Sequence, residues 1–228
     1  MKTTPTATSR FVATHSVLTL DARHPYAAKS LVDAQEMHRT VMSGFCAWIE
    51  DGSPDARSQA GVLSTWSVDL KQALLVLVVQ SRVPGDWGRV PRAALAEDPY
   101  IITVDRTFRA GEVVKFRTVV NPTFSKPAAG AAGKRPRGHR VAHTRPEHVK
   151  SWFQRRLDTH IGATADASAV AVRMLPAVSS ATAHKGLKIG RAEIRGSLTV
   201  TDPRRFVTAL SDGIGHARAY SCGLILTR

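Results

Sequence analysis

The sequence predicts an α+β fold made of two tandem units, and three observations carry that prediction. Short runs of strand character recur along the chain, among them the doubly apolar Ala73–Val79 and the alternating Val113–Val120. Segments with helical periodicity and capping residues are interspersed with them, but without the strict strand–helix alternation of a doubly wound fold. A stretch at 125–143, rich in Ala, Gly, Pro and basic residues and without periodicity, separates two similar sets of such signals.

In the first set, Phe11–Leu20 reads as a strand. After a gap containing Pro25, Asp33 opens a helix, and Glu36 three residues on completes a capping-box spacing. Met37, Val41 and Phe45 recur every four residues as its apolar face, and Gly44 lies near its carboxyl end. Residues 60–68 and 73–81 are two further strands, the second central because it is apolar on both faces, and a Pro- and Gly-rich turn occupies 83–91. In 113–120, Val114, Phe116 and Val120 point one way and Lys115 and Arg117 the other, until Asn121-Pro122 ends the strand.

The second set starts at Thr144, which forms a capping-box spacing with Glu147 around Pro146. Val149, Trp152, Phe153 and Leu157 line that helix. Residues 169–178 and 191–200 are strands; in the latter Ala192, Ile194, Leu198 and Val200 face inward, and Arg191, Glu193, Arg195 and Thr199 outward. Asp202-Pro203 starts a helix lined by Phe206, Val207 and Leu210 and stopped by Gly213, and 222–227 is a closing strand. Each set fits a sheet with helices on one face, the split βαβ or ferredoxin-like (RRM-like) unit. The expected division is residues 1–124, a basic linker at 125–143, and residues 144–228.

With 228 residues there is room for two domains of roughly 100 residues each. Lys and Arg number 32 against 18 Asp and Glu, a net charge of +14, so the expected partner is a polyanion, nucleic acid before a membrane surface. No apolar run approaches the ~18 residues of a membrane-spanning helix, and the start MKTTPTATSR lacks the apolar stretch of a signal peptide. Two cysteines, Cys46 and Cys222, do not make a disulfide framework, so a cytoplasmic location is expected. No Walker-type loop, no G-x-S-x-G and no paired carboxylates in a shared motif are present.

Three stretches carry potential chemistry. His38 and Arg39 stand side by side in the first turns of the Asp33 helix, with His38 at the edge of the apolar face; by itself it reads first as a half-buried or exposed structural histidine and second as a functional one. In GIGHARAYSCG, 213–223, Gly213 and Gly215 permit positive φ, successive backbone N–H groups can form an anion-binding concavity, and His216 and Arg218 add donors; a helix cap followed by a tight turn reads as well. From Lys134 to Arg156 there are eight Lys or Arg (134, 135, 137, 140, 145, 150, 155, 156) and one acid, Glu147. Aromatic residues make up only 6%, so phosphate and shape recognition of a folded RNA fits better than base stacking. His139, His143 and His148 have no Cys or carboxylate at ligand spacing, and neither a metal nor a cofactor is expected.

Six segments occur in order: EMHRTVMSGF (36–45), PGDW (84–87), VKFRTVVNPT (114–123), EHVKSWFQRRL (147–157), GSLTVTDP (196–203) and GIGHARAYSCGLILTR (213–228). Together they resemble the CRISPR RNA-processing endoribonucleases of the CasE family, the type I-E members of the RAMP superfamily. The resemblance implies two ferredoxin-like domains, His38 as the catalytic residue, and a glycine-rich loop that positions RNA. It further implies metal-independent cleavage of CRISPR repeat RNA at the 3′ side of its hairpin stem by 2′-OH attack. The mature crRNA would stay bound, with the other subunits of the type I-E interference complex as partners. Phosphate contacts are expected from Gln35, Arg39, Lys134, Arg135, Arg137, Arg140, Arg155, Arg156, Lys185 and Lys188, and from the loop residues Gly213, Gly215, His216, Arg218 and Tyr220. Two positions depart from the family: Gln35 stands where relatives carry a tyrosine with a part in catalysis, and Ser221 where the loop usually has glycine. The missing tyrosine favours one alternative, a non-catalytic RAMP-type RNA-binding scaffold; a ribosome-associated basic protein is another.

Overall fold

The computed structural model describes residues 7–49, 56–126, 139–180 and 186–228. The first unit begins with β1 (Thr8–Asp21), followed by α1 (Pro25–Val32), α2 (Ala34–Met42) and the single turn α3 (Ala56–Gln59). Three strands complete it: β2 (Leu63–Asp69), β3 (Leu74–Ser81) and β4 (Tyr100–Arg109). They pair in the order β2-β3-β1-β4, antiparallel throughout, as in a ferredoxin-like unit. The second helix of such a unit is missing. Between β3 and β4 the chain makes turns and a short 3-10 segment, Arg92–Ala94, and buries Trp87 edge-on against Phe45.

Three local outcomes differ from the sequence expectation. Pro25 does not lie in a gap; it is the first residue of α1, capped by His24, whose ring nitrogen accepts from the Tyr26 N–H. Asp33 does cap α2, accepting from the Gln35 N–H at 2.8 Å, but Glu36 does not close a capping box. Its carboxylate pairs with Lys29 at 3.0 Å and with Arg39. The strand β4 gave no sequence signal because most of its side chains are exposed on both faces; Phe108 is its buried anchor.

The second unit starts with β5 (Val113–Val120), which the sequence reading grouped with the first set. It pairs with β10 (Lys188–Val200) and β11 (Ile225–Thr227). The stretch expected as a linker lies mostly outside the described residues; at its ends β6 (Thr123–Lys126) pairs with β7 (His139–Ala142), between β5 and α4 (Pro146–Arg156). This helix has Arg145 at its N-cap with no side-chain cap, so Thr144 does not form the expected box. Next come β8 (Ala163–Thr164) and β9 (Val170–Ser179), which pair with different stretches of β10. The sheet reads β11-β5-β10 with β9 outermost, again ferredoxin-like. Before β11 lies α5 (Pro203–Asp212), where Asp202 accepts from the N–H groups of Arg204 and Arg205 and Gly213 ends the helix at φ 72°.

The helix α5 joins the units. One continuous core runs from Phe11, Ala13 and Phe108 of the first sheet to Phe116, Trp152, Phe153, Leu198, Phe206 and Leu210 of the second. Phe206 meets Phe108 edge-on at 5.0 Å, and Gln80 of β3 donates to the Leu210 carbonyl at 2.8 Å. A separate core under α2 packs Met37, Val41 and Phe45 onto Leu18, Leu75 and Leu77, which fixes the rotation of that helix. Phe206→Ala is therefore expected to cost about 3–5 kcal/mol. Because Phe206 sits in a core shared by both sheets, urea unfolding followed by tryptophan fluorescence should remain one transition at a lower midpoint. Two separated transitions would contradict the shared core.

Candidate active site and nucleic-acid interface

The core packing of α2 turns His38 toward the 213–223 loop. This loop has a sharply defined path, with left-handed backbone at Gly213, Gly215, Ala217, Ser221 and Gly223. The Ile214 N–H donates to the Gly223 carbonyl at 2.9 Å, and the Gly223 N–H to the Val119 carbonyl of β5. A side chain at Gly223 would lie 2.5 Å from the Ile214 carbonyl oxygen, so only glycine fits that crossing. Arg218 closes the loop from outside, donating to the carbonyls of Gly215 (3.1 Å) and Asp212 (2.9 Å).

Ser221 holds a left-handed conformation (φ 57°) with a side chain, at a cost of about 1–2 kcal/mol for a non-glycine residue. Its fully buried hydroxyl bonds the Ser64 hydroxyl of β2 at 2.9 Å. The loop keeps its path despite the absent glycine because that hydrogen bond offsets the strain.

The His38 ring lies 6.1 Å from the Tyr220 ring, tilted by 58°. Half-buried, it has a pKa lowered below 6.5. Burial is the main cause; a hydrogen bond to the Ala219 backbone works against it, and the charges of Arg57 and Arg39 reinforce it. His38 is thus neutral at pH 7. A neutral imidazole keeps one ring nitrogen as a proton acceptor. Arg39 is exposed and tied to Glu36. Gln35 is half-buried and, three residues before His38, lies on the same side of α2.

On the other side of the loop, basic groups converge. His216 bridges to Asn121, and its pKa is lowered first by burial and then by Arg140, Arg156 and Arg218. Arg156 lies over the Trp152 indole at 4.0 Å and donates to the Trp152 carbonyl, while Arg155 is exposed beside it. The expected residues Arg140, Arg155, Arg156, His216 and Arg218 are therefore brought together, with His38, Arg39, Gln35 and Tyr220 across the loop. Lys188 stands exposed at the start of β10. Lys134, Arg135, Arg137 and Lys185 lie outside the described residues. Among the described residues no group of three or more His, Cys, Asp or Glu side chains is placed to hold a metal ion.

Sequence reasoning missed a buried pair behind the loop. Arg191 and Glu193 were read as outward-facing, and they do leave the core side of β10, but both are almost fully buried there. The Arg191 guanidinium lies 4.0 Å over the Trp66 ring of β2, near the Cys222 thiol, whose pKa burial pushes up to about 12. Glu193 pairs with Arg117 at 2.9 Å and Arg173 at 3.3 Å. No local pattern signals these contacts, because Trp66 of the first unit covers Arg191 and neighbouring strands supply the partners of Glu193.

The family described as CRISPR associated protein matches residues 15–228. Solved structures share the fold at low identity. Cse3 of Thermus thermophilus, bound to an RNA representing a pre-cleavage complex, is 23% identical over 96% of this chain and 100% of that chain, with a TM-score of 0.71. Cas6e of Escherichia coli K-12 is 18% identical over 94% and 98%, with a TM-score of 0.66. A chain of a CRISPR RNA-guided surveillance complex is 18% identical over 94% and 98%, with a TM-score of 0.59. No curated protein sequence matches.

The Ser64–Ser221 bond gives a stability test. Ser64→Ala leaves the Ser221 hydroxyl buried and unpaired, an expected loss of about 1–3 kcal/mol. Adding Ser221→Gly removes both the orphan hydroxyl and the strain, and should recover most of that loss in urea denaturation. A double variant no more stable than Ser64→Ala would mean that the hydroxyl pair does not hold the loop.

Proposed function

The chain belongs to the CRISPR-associated protein family, and from that premise we propose that it is a CasE-type endoribonuclease that binds the hairpin of CRISPR repeat RNA and cuts at the 3′ side of the stem. The observation that carries this reading is the pairing of a half-buried His38, 6.1 Å from the Tyr220 ring, with a hydrogen-bonded loop whose far side gathers Arg140, Arg155, Arg156 and Arg218. The RNA brings its own nucleophile, the 2′-OH next to the scissile phosphate, already at high effective concentration. The free nitrogen of His38 accepts that proton, the 2′-oxygen bonds phosphorus, and the P–O5′ bond breaks to leave a 2′,3′-cyclic phosphate. The departing 5′-oxygen takes a proton from an acid, and Tyr220 is the phenol nearest His38. Guanidinium groups steady the crowded phosphorane, and Gln35 can donate to a phosphate oxygen. No metal enters this scheme.

The hairpin of β6 and β7, with its segment Lys134–Arg137, and the end of α4 supply the phosphate contacts to the stem in this reading. The neighbour from a surveillance complex supports retention of the mature crRNA and docking to other subunits of an interference complex. Among the described residues no helix is long and apolar enough to cross a membrane; the cytoplasm is the proposed location. The two units divide near residue 111 in this proposal, not at 124, because β5 is hydrogen-bonded into the second sheet. Gln35 keeps a second reading alive, a non-catalytic RNA-binding scaffold in which His38 only ties α2 to the loop.

His38→Ala is expected to abolish single-turnover cutting of a cognate repeat hairpin while leaving affinity intact, with or without EDTA. Cutting within threefold of wild type would favour the scaffold. For the intact protein, the rate should rise with pH as His38 loses its proton, with its midpoint below the ordinary histidine range because burial lowers the His38 pKa. Neutralising Arg155 and Arg156 together should reduce the log–log salt slope of binding by roughly 0.7–0.9 per lost contact. An unchanged slope would show that α4 faces away from the RNA.

A further inference from the structure

The face of the second sheet turned away from α4 and α5 carries an open cleft that the scheme above leaves unused, lined by Lys115, Arg117, Arg195, Ser197, Leu226 and Arg228 among others. Strand register places its cations in successive rows. Arg173 stands in the row of Glu193 and Val119. The next row holds Leu226, Arg117, Arg195 and Ala171 side by side across four strands. Lys115 and Ser197 form the row after that. Rows two residues apart along a strand are separated by about 7 Å.

Arg117 and Arg173 share one carboxylate, Glu193. Lys115 and Arg195 are exposed, and no ion pair holds either among the described residues. The positive excess of the face is therefore open to solvent. Its floor is aliphatic: the Phe116 ring points away and stacks on Phe153 in the core, so no aromatic plane is offered to a base. The row above Arg173 is capped by buried Arg191 under Trp66, and the loop beside that cap holds His38. The rows thus begin next to the candidate active site and lead away from it along β10.

We propose that this sheet face is a track for single-stranded RNA flanking the hairpin, gripping successive phosphodiesters without reading their bases. The inference rests on the functional reading above and adds a binding site to it. Extended RNA laid along β10 from a phosphate at His38 meets a cation at each row. The aliphatic floor fits the sugar edge of such a strand, and its lack of stacking rings fits sequence tolerance.

The test uses the full chain and the double variant Lys115→Gln, Arg195→Gln, whose side chains are exposed and outside the catalytic machinery. Three uncleavable RNAs, with a 2′-deoxy nucleotide at the scissile position, are compared: the bare hairpin, the hairpin with an upstream oligouridine flank, and the hairpin with a downstream one. Wild type is expected to bind one flanked RNA more tightly than the bare hairpin, and the arm that gains identifies the flank. The double variant should lose that gain, with a salt slope lower by about 0.7 for each of two lost single-strand contacts, and should bind the bare hairpin as wild type does. An oligouridylate without any hairpin, expected to lose affinity in the same variant, tests the track even if the hairpin is not the substrate. An equal flank gain in the variant, no gain in wild type from either flank, or competition by polyglutamate but not by oligouridylate would overturn the proposal, the last pointing to an acidic protein segment instead.

Discussion

The hydrogen bond from Gly223 to the Val119 carbonyl is the constraint on which the rest of the site depends. It ties the end of the 213–223 loop to the second sheet at the point where the chain must cross its own start, and Ile214 bonds Gly223 at that crossing. Upstream, the loop is set by α5, which is capped by Asp202 and locked between the sheets by Phe206 and Leu210. With both ends fixed, the loop can hold left-handed turns that would be strained in a free segment. The Ala219 carbonyl then reaches His38, and the Tyr220 ring sits beside it. The candidate histidine is on the first unit and the loop beside it on the second. The shared core is therefore a condition for the site as well as for stability.

How much of this was legible in the sequence follows from where each signal is stored. Strands with one buried face, such as β10, and helices with a complete apolar stripe, such as α4, announce themselves through periodicity. β4 does not, because both its faces are largely exposed, and Phe108 and backbone pairing with β1 anchor it. The assignment of β5 failed for a different reason. Its alternation was correct, with Phe116 and Val114 buried, but which sheet accepts a strand is a long-range fact that local alternation does not carry. At the site, His38 and the loop were recognisable as separate motifs, whereas Arg191 on Trp66 was not. That contact joins the two units, and an arginine on an alternating strand looks solvent-facing.

The two departures from the family have different physical standing. Ser221 is compensated, since its strained backbone comes with a buried partner in Ser64. Gln35 has no such compensation on its own helix, because an amide cannot exchange a proton. A phenol is nonetheless present near His38, delivered by the loop at Tyr220 instead of by the preceding turn of α2. The two positions approach the imidazole from different elements, so a function tied to a phenol can move between them without changing the fold.

Electrostatics connects binding to chemistry at His38. Burial and the charges of Arg57 and Arg39 hold the imidazole below its ordinary pKa, keeping it unprotonated and ready as a base. A weak base accepts a proton reluctantly, so that same depression would limit the reaction if it persisted. A phosphate bound among the guanidinium groups introduces the opposite charge and desolvates the site further. The first effect raises the histidine pKa and the second lowers it. In the proposed reading, burial, reinforced by Arg57 and Arg39, holds the His38 pKa down before binding, and the charge of a bound phosphate acts in the opposite direction.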